Sequence, residues 1–170
     1  MDNLNYGIIG NCRSGALISK TGSVDWLCLP QFDSPSVFAK LLDENKGGSF
    51  YIEPTSEFST QQAYTSHTNI LVTRFMCADG TFEIHDFMPR YHTDNHRSHY
   101  TPPDLIRYFK LIDGKPKFRI IYDPKLEYGQ CNTNFDIEDD FIKAYTDGCE
   151  YDSLYLYTNF NKEKIVNRNV

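Results

Sequence analysis

Three histidines lie close together in the chain and are the first candidates for metal chemistry. His92, His96 and His99 are spaced four and three residues apart, which would place their imidazoles on one face of a helix. Histidine is also the commonest metal ligand in proteins. The surrounding segment is polar, has no apolar stripe and runs into Pro102 and Pro103. We therefore predict a solvated loop here and no metal site.

Carboxylates are the other candidates, because hydrolysis of a glycosidic bond needs two carboxyl groups on either side of that bond. Asp25, Asp33, Asp86 and Asp123 each lie beside aromatic or proline residues at predicted strand ends or turns. Structural roles explain them more simply. Asp33 can help to cap a predicted helix, and Asp123 precedes a proline in a turn. We assign a catalytic role to none of them.

Other sequence patterns exclude several classes of function. There is no G-x-S-x-G elbow, no phosphate-binding loop, no H-E-x-x-H and no dinucleotide-binding glycine pattern, so we expect no phosphate or dinucleotide chemistry. The chain has 170 residues and a formal charge of −6. An acidic domain without a Lys/Arg cluster is a poor ligand for nucleic acids and for anionic membranes.

The cysteines bear on the cellular compartment. Cys12, Cys28, Cys77, Cys131 and Cys149 form an odd, widely spaced set without a C-x-x-C pair, which fits neither a zinc site nor a secreted disulfide framework. Residues 1–4 lack a basic region and an apolar stretch, so we expect no signal peptide, and no apolar run reaches the roughly 18 residues of a membrane span. We interpret the five cysteines as reduced thiols in a cytoplasmic protein.

Turn residues at short intervals predict a chain of β-hairpins. Tyr and Phe, 12 of each, make up most of the 15% aromatic content and suit the half-buried surface of a sheet. The predicted hairpins are residues 16–19 with 24–29, 69–77 with 81–88, 105–112 with 118–122, and 141–146 with 153–158.

One helix is predicted at residues 34–47. Ser34 can cap it and Pro35 fits its first turn, while Gly47 and Gly48 end it. The apolar stripe consists of Val37, Phe38, Leu41 and Leu42. Many short strands with one short helix predict a mostly antiparallel β-sandwich, as a single domain over residues 1–170.

Several sequence blocks, in order, resemble the N-terminal part of bacterial family 15 glycoside hydrolases, the glucoamylase and trehalase group. Asn11 and Gln31 are small departures, since the family often has Asp and Arg at these positions. The blocks are residues 4–13 (LNYGIIGNCR), 23–30 (SVDWLCLP), 32–39 (FDSPSVFA), 68–71 (TNIL), 73–75 (TRF), 86–89 (DFMP), 122–124 (YDP) and 128–129 (YG).

The resemblance implies an enzyme in two parts. A supersandwich-like β domain precedes an (α/α)₆ barrel, whose two glutamates hydrolyse α-glucosidic bonds with inversion and without a cofactor. No residue here matches those glutamates, so none is assigned as catalytic and the barrel is absent from this chain. Residues 161–170 are predicted to be a polar exit from a sandwich truncated at its C-terminal end. An unpaired strand edge left by that truncation predicts self-association.

The first functional hypothesis is therefore a non-catalytic domain that supports the barrel and borders its substrate pocket. Trp26, Phe32, Asp33 and Ser34 are the predicted pocket-rim or barrel-interface residues, although Trp26 can equally be buried inside the sandwich. The predicted partners are the barrel of the same protein and its α-glucoside substrate. The alternatives are a stand-alone carbohydrate-binding module and a structural or assembly domain.

Overall fold

Short strands joined by turns make up most of the computed structural model, which describes residues 5–93, 98–148, 150 and 152–167. The strands are β1 (Tyr6–Gly10), β2 (Gly15–Ser19), β3 (Val24–Cys28), β4 (Ser36–Phe38), β5 (Ser49–Pro54), β6 (Phe58–Tyr64), β7 (Leu71–Cys77), β8 (Gly80–Phe87), β9 (Tyr91–His92), β10 (His99–Tyr100), β11 (Ile106–Gly114), β12 (Phe118–Asp123), β13 (Asn132–Ile137), β14 (Phe141–Asp147) and β15 (Ser153–Tyr157). A 3₁₀ turn (Glu127–Gly129) and helix α1 (Lys162–Val166) are the helical elements of the described residues.

The strands form antiparallel sheets, which confirms the predicted fold class. A six-stranded sheet has the order β1-β2-β3-β5-β12, with β4 paired to β3, and a four-stranded sheet has the order β11-β8-β7-β6. A three-stranded sheet, β13-β14-β15, and the two-stranded ribbon β9-β10 complete the set.

The core lies where the six-stranded and four-stranded sheets face each other. Successive side chains of a strand point to opposite faces, so alternate apolar residues of each sheet meet in one cluster. Phe82 stacks on Phe75 and on Phe109, with ring centroids 4.6 and 5.1 Å apart. The other members from these two sheets include Ile9, Ile18, Val24, Ile52, Leu71 and Ile84.

Three of the four predicted hairpins are confirmed, as β2-β3, β7-β8 and β14-β15. The third is wrong, because β11 pairs with β8 and β12 pairs with β5, in different sheets. The backbone N–H of Lys115 donates to the Asp79 carbonyl at 2.9 Å, and the N–H of Lys117 donates to the Asp79 carboxylate at 2.9 Å. This connection is therefore anchored to the β7-β8 turn while it crosses between sheets.

The helix predicted at residues 34–47 is also wrong. Ser36, Val37 and Phe38 are all buried and form β4, in which Phe38 pairs with Leu27 of β3. Leu42 is 73% exposed whereas Val37 and Phe38 are buried, so the residues of the predicted apolar stripe do not share one buried face.

Among the described residues the α-helix is α1. It lies within residues 161–170, which were predicted to leave the sandwich as a polar segment. The Asn161 side chain caps it by accepting from the N–H of Lys164 at 2.9 Å. Ile165 is buried and anchors the helix to the core.

The cysteines differ in state. Cys12, Cys28 and Cys77 are free, whereas Cys131 is disulfide-bonded, so the prediction of five reduced thiols is wrong at Cys131. Cys149 lies outside the described residues.

Within the described ranges, no helix combines the length and the apolar character that crossing a membrane requires.

A buried ion pair within the four-stranded sheet is also bonded to the six-stranded sheet. Arg107 of β11 binds Asp86 of β8 through two hydrogen bonds, of 2.7 and 3.2 Å, and the two side chains are 3% and 0% exposed. The same guanidinium donates to the Phe50 carbonyl at 2.7 Å and to the Gly22 carbonyl, both on the six-stranded side. Burial raises the pKa of Asp86, and the guanidinium opposes that rise. Arg107 thus holds β5 and the β2-β3 turn against β8.

A second carboxylate, Glu83, lies on the outer face of the four-stranded sheet. It accepts two hydrogen bonds from Arg74, at 2.8 and 2.5 Å, and its other oxygen is 3.0 Å from Nε2 of His85. Burial acts to raise the pKa of Glu83, but the hydrogen bonds from Arg74 and His85 outweigh it, and the pKa is lowered.

We expect Arg107→Met to destabilise the chain by about 3–5 kcal/mol, because it leaves the Asp86 carboxyl buried without its partner. Arg119→Met is the matched control, since Arg119 pairs with Glu53 in solvent and such pairs contribute about 1 kcal/mol or less. Urea unfolding followed by circular dichroism measures both. Equal losses of stability would contradict a special role for the buried pair.

The lowered pKa of Glu83 predicts a pH dependence. Its contribution to stability is present above the unfolded pKa, near 4.3, and is lost as the pH falls through the lower folded value. Between pH 7 and pH 3 the wild type should lose more stability than Glu83→Gln, by about 1 kcal/mol or less, because Arg74 is half exposed. Urea midpoints at the two pH values test this, and parallel losses in both proteins would refute it.

Candidate functional site

The four predicted interface residues lie on β3 and in the turn that follows it. Trp26 is on β3, and Phe32, Asp33 and Ser34 lie together in the turn before β4. The Ser34 hydroxyl accepts from the N–H of Gln31 at 3.1 Å, and the N–H of Ser34 donates to the Gln31 carbonyl at 3.2 Å. Ser34 therefore closes a turn instead of capping a helix, and the Asp33 side chain is exposed.

Trp26 lies on the outer face of the six-stranded sheet, not between the sheets. In the strand register Trp26 is opposite Leu17, and Leu17 is opposite Ile8. These three side chains point away from the core-facing Ile9, Ile18 and Leu27. Trp26 is half-buried there, and Ile8 is 63% exposed.

Phe32 extends this row. Its ring lies over Gly15, where a Cβ atom would be 3.1 Å from Cε1 of the phenyl ring. Gly15 and Leu17 are two residues apart on β2 and share a face, so Phe32 lies on the same side as Trp26. Phe32 is 64% exposed. We name Ile8, Leu17, Trp26 and Phe32 the outer apolar surface; such a surface suits a protein partner or the apolar face of a sugar.

The carboxylates considered as catalytic groups mostly have structural partners. Asp25 is buried and accepts from the Tyr6 hydroxyl at 3.1 Å and the Ser23 hydroxyl at 2.5 Å; burial and Asp25 raise the pKa of Tyr6 to about 12. Asp86 binds Arg107, and Asp123 is 3.0 Å from the Lys125 ammonium. Three of the four candidate carboxylates thus have partners within the fold, as structural roles require.

The histidine segment forms a ribbon where a loop was predicted. His92 of β9 pairs with His99 of β10, and their rings are 4.7 Å apart. His96 lies outside the described residues. Among the residues that are described, no group of three or more His, Cys, Asp or Glu side chains is placed to hold a metal ion.

Asn11 has a structural role that sequence reasoning missed. Its buried amide donates to the Pro89 carbonyl at 3.2 Å and to the Pro102 carbonyl at 2.8 Å, on the two sides of the ribbon. A carboxylate cannot donate these bonds, which gives a physical reason for Asn where the family often has Asp. The departure was visible in the sequence, but its acceptors, 78 and 91 residues away, were not.

A cavity of about 510 Å³ lies on the other side of β3. It is lined by Leu27, Leu29 and Phe38, among others, but by none of the four predicted interface residues. The outer apolar surface and the cavity are therefore separate features.

Comparison with known proteins matches residues 5–151 to the family described as trehalase-like, N-terminal. A trehalase of Thermoplasma volcanium is 36% identical over 129 residues, covering 74% of this chain and 20% of the relative. Trehalase 2 of Sulfolobus acidocaldarius is 36% identical over 139 residues, covering 82% and 21%. A trehalase of Mycobacterium tuberculosis is 26% identical over 171 residues, covering 91% and 25%.

The matched region spans about a fifth to a quarter of the length of these curated relatives. No solved structure matches the chain. The family match covers well over half of the chain and agrees with the sequence blocks that resemble family 15 glycoside hydrolases. The chain therefore belongs to the trehalase-like N-terminal domain family.

Proposed function

We propose that this chain is the non-catalytic N-terminal domain of a trehalase-like enzyme that hydrolyses α-glucosidic bonds. The observation that carries the proposal is the family match over residues 5–151, combined with relatives named trehalases that are several times longer than the matched region. The catalytic carboxylates then belong to a barrel elsewhere in the longer protein.

The state of the carboxylates supports a non-catalytic role. An inverting glycosidase needs a general acid and a general base about 6.5–9.5 Å apart, with room for water and the sugar between them. Asp25, Asp86 and Asp123 are occupied by hydroxyl, guanidinium and ammonium donors. Their carboxylate oxygens accept hydrogen bonds from side chains of the sandwich itself.

We further propose that the outer apolar surface packs against the barrel. Phe32 and Ile8 are large apolar side chains that are mostly exposed in the isolated chain, and they lie beside the half-buried Trp26. Covering them removes apolar area from water, which stabilises an interface by roughly 25 cal/mol per Å². Asp33 and Ser34, next to Phe32, would lie at the polar rim, where an α-glucoside hydroxyl can reach them.

A carbohydrate-binding module is the second candidate. The exposed Phe32 ring beside the exposed Asp33 carboxylate combines an apolar platform with a hydrogen-bond acceptor, as sugar recognition requires. This candidate differs from the first in that the chain would bind sugar without the barrel.

With trehalose as substrate, we expect the 170-residue chain to release no glucose and the longer protein to release it. An enzymatic glucose assay measures both proteins at equal concentration. Glucose release by the chain alone would contradict the non-catalytic role. Titration calorimetry of the chain with trehalose and maltooligosaccharide should give no heat, and saturable heat would favour the carbohydrate-binding module.

Phe32→Ala tests the barrel interface. Because the ring is mostly exposed in the isolated chain, we expect its unfolding free energy to change by less than about 1 kcal/mol. In the longer protein the melting temperature should fall by about 2 °C or more, since the covered ring is lost. Leu42→Ala is the control, because Leu42 is 73% exposed and lies off the outer apolar surface. Equal effects of Phe32→Ala on the isolated chain and the longer protein would rule out the interface.

A further inference from the structure

The edge of β15 lacks the features that protect a sheet edge. Exposed edges usually carry Lys, Pro, a bulge or a covering segment. β15 reads Ser-Leu-Tyr-Leu-Tyr, without charge or proline, and pairs only with β14 within the described residues. By contrast, the free edge of β1 is covered by the Tyr64 hydroxyl, which bonds both the N–H and the carbonyl of Ile8 at 2.8 Å.

The cavity of about 510 Å³ runs along this unprotected edge. Residues 152–157 line it consecutively. Successive side chains of a strand point to opposite faces, so a cavity that contacts six residues in a row meets the strand along its backbone edge. Tyr155 and Tyr157 beside it are 46% and 68% exposed.

The other wall of the cavity is the beginning of β11. Residues 103–106 line it, and a smaller cavity of about 170 Å³ is lined by Ile106 and Arg107 of β11 together with Leu156 and Tyr157 of β15. β11 and β15 are not paired with each other. Two strand edges therefore border one apolar gap.

The floor of the gap is the core-facing side of the six-stranded sheet. Leu27, Phe38, Phe50 and Tyr122 line it. The four-stranded and three-stranded sheets thus lie beside each other over the same apolar floor, separated by an unfilled position.

We propose that an extended segment from the remainder of the longer protein binds in this gap as a β-strand between β11 and β15. It would join the four-stranded and three-stranded sheets into one continuous sheet. This inference rests on the proposed function. The relatives supply the length required, since the matched region is about a fifth of them. A tethered segment also has a high effective concentration at the gap.

The lining defines the chemistry of that segment. Backbone N–H and carbonyl groups of β11 and β15 need partners when covered, so the segment is extended. Its alternate side chains meet Phe38 and Tyr122 and are apolar. Asp104 and Asp152 are the charged residues that line the larger cavity, and Arg107, already paired with Asp86, lines the smaller one. Acidic residues of the segment are therefore disfavoured beside Asp104 and Asp152.

Hydrogen exchange measured by mass spectrometry tests the proposal on the longer protein and on the 170-residue chain, each at a concentration where light scattering shows a monomer. We expect the β15 amides that point away from β14 to exchange at least about 10-fold more slowly in the longer protein. β2 is the internal control, because it is paired on both sides and should exchange similarly in both.

Tyr157→Lys sharpens the test. It should change the stability of the isolated chain little, since Tyr157 is 68% exposed, and should accelerate β15 exchange in the longer protein. Tyr128→Lys is the matched control, because Tyr128 is 57% exposed and lines neither cavity. We expect it to leave β15 exchange unchanged.

Equal β15 exchange in the two proteins would overturn the proposal. Protection that grows with protein concentration would put a second copy in the gap and would overturn it as well. Glucose release from trehalose by the same longer protein tests the proposed function separately. The inserted strand can therefore be refuted while the proposed function holds, and the reverse.

Discussion

The buried guanidinium of Arg107 makes the contacts on which the arrangement of the two main sheets depends. A buried guanidinium must satisfy its donors without water, and here they reach Asp86, Phe50 and Gly22. These acceptors belong to β8, β5 and the β2-β3 turn, so any sliding of one sheet over the other breaks charge-assisted hydrogen bonds. The apolar core favours burial in general, but the bonds from Arg107 to the Phe50 and Gly22 carbonyls favour one position of the sheets relative to each other. The guanidinium also lies over the Phe50 ring, with Cζ 4.8 Å from the ring centroid.

Local sequence signals predicted the strands better than their pairing. Turn residues marked all four predicted chain reversals, but a reversal does not determine which sheet the next strand joins. At Gly114 the chain crosses from the four-stranded to the six-stranded sheet because Asp79, 36 and 38 residues away from Lys115 and Lys117, accepts the turn's N–H groups. The helix prediction failed for a related reason: Val37 and Phe38 fit a helical stripe, yet β3 and the core offer an edge where both are buried.

The orientation of the candidate site could not be read from alternation alone. Between Leu17 and Ile18 the β2-β3 register shifts, so Asp25 is an extra residue and Trp26 faces outwards while Val24 and Leu27 face the core. A bulge of this kind reverses the predicted side of every residue beyond it. Grouping Phe32, Asp33 and Ser34 required only their adjacency. One feature of the sequence could have indicated the role of Arg107. It is a charged residue two positions before the core-packed Phe109, in a strand rich in aromatic residues.

The sandwich therefore presents an exposed apolar face and an open strand edge, which have different physical consequences. The outer apolar surface is an exposed face, and covering a face needs only a partner of matching shape and apolar character. The gap between β11 and β15 is an open edge, and filling an edge needs backbone hydrogen bonds in register, which only an extended polypeptide provides. A face can release its partner without disturbing the fold, whereas a strand inserted in a sheet shares in its unfolding. A domain that binds the longer protein through both the outer apolar surface and the gap would couple its stability to that protein. This coupling would be tighter than the coupling that a side-chain interface alone provides.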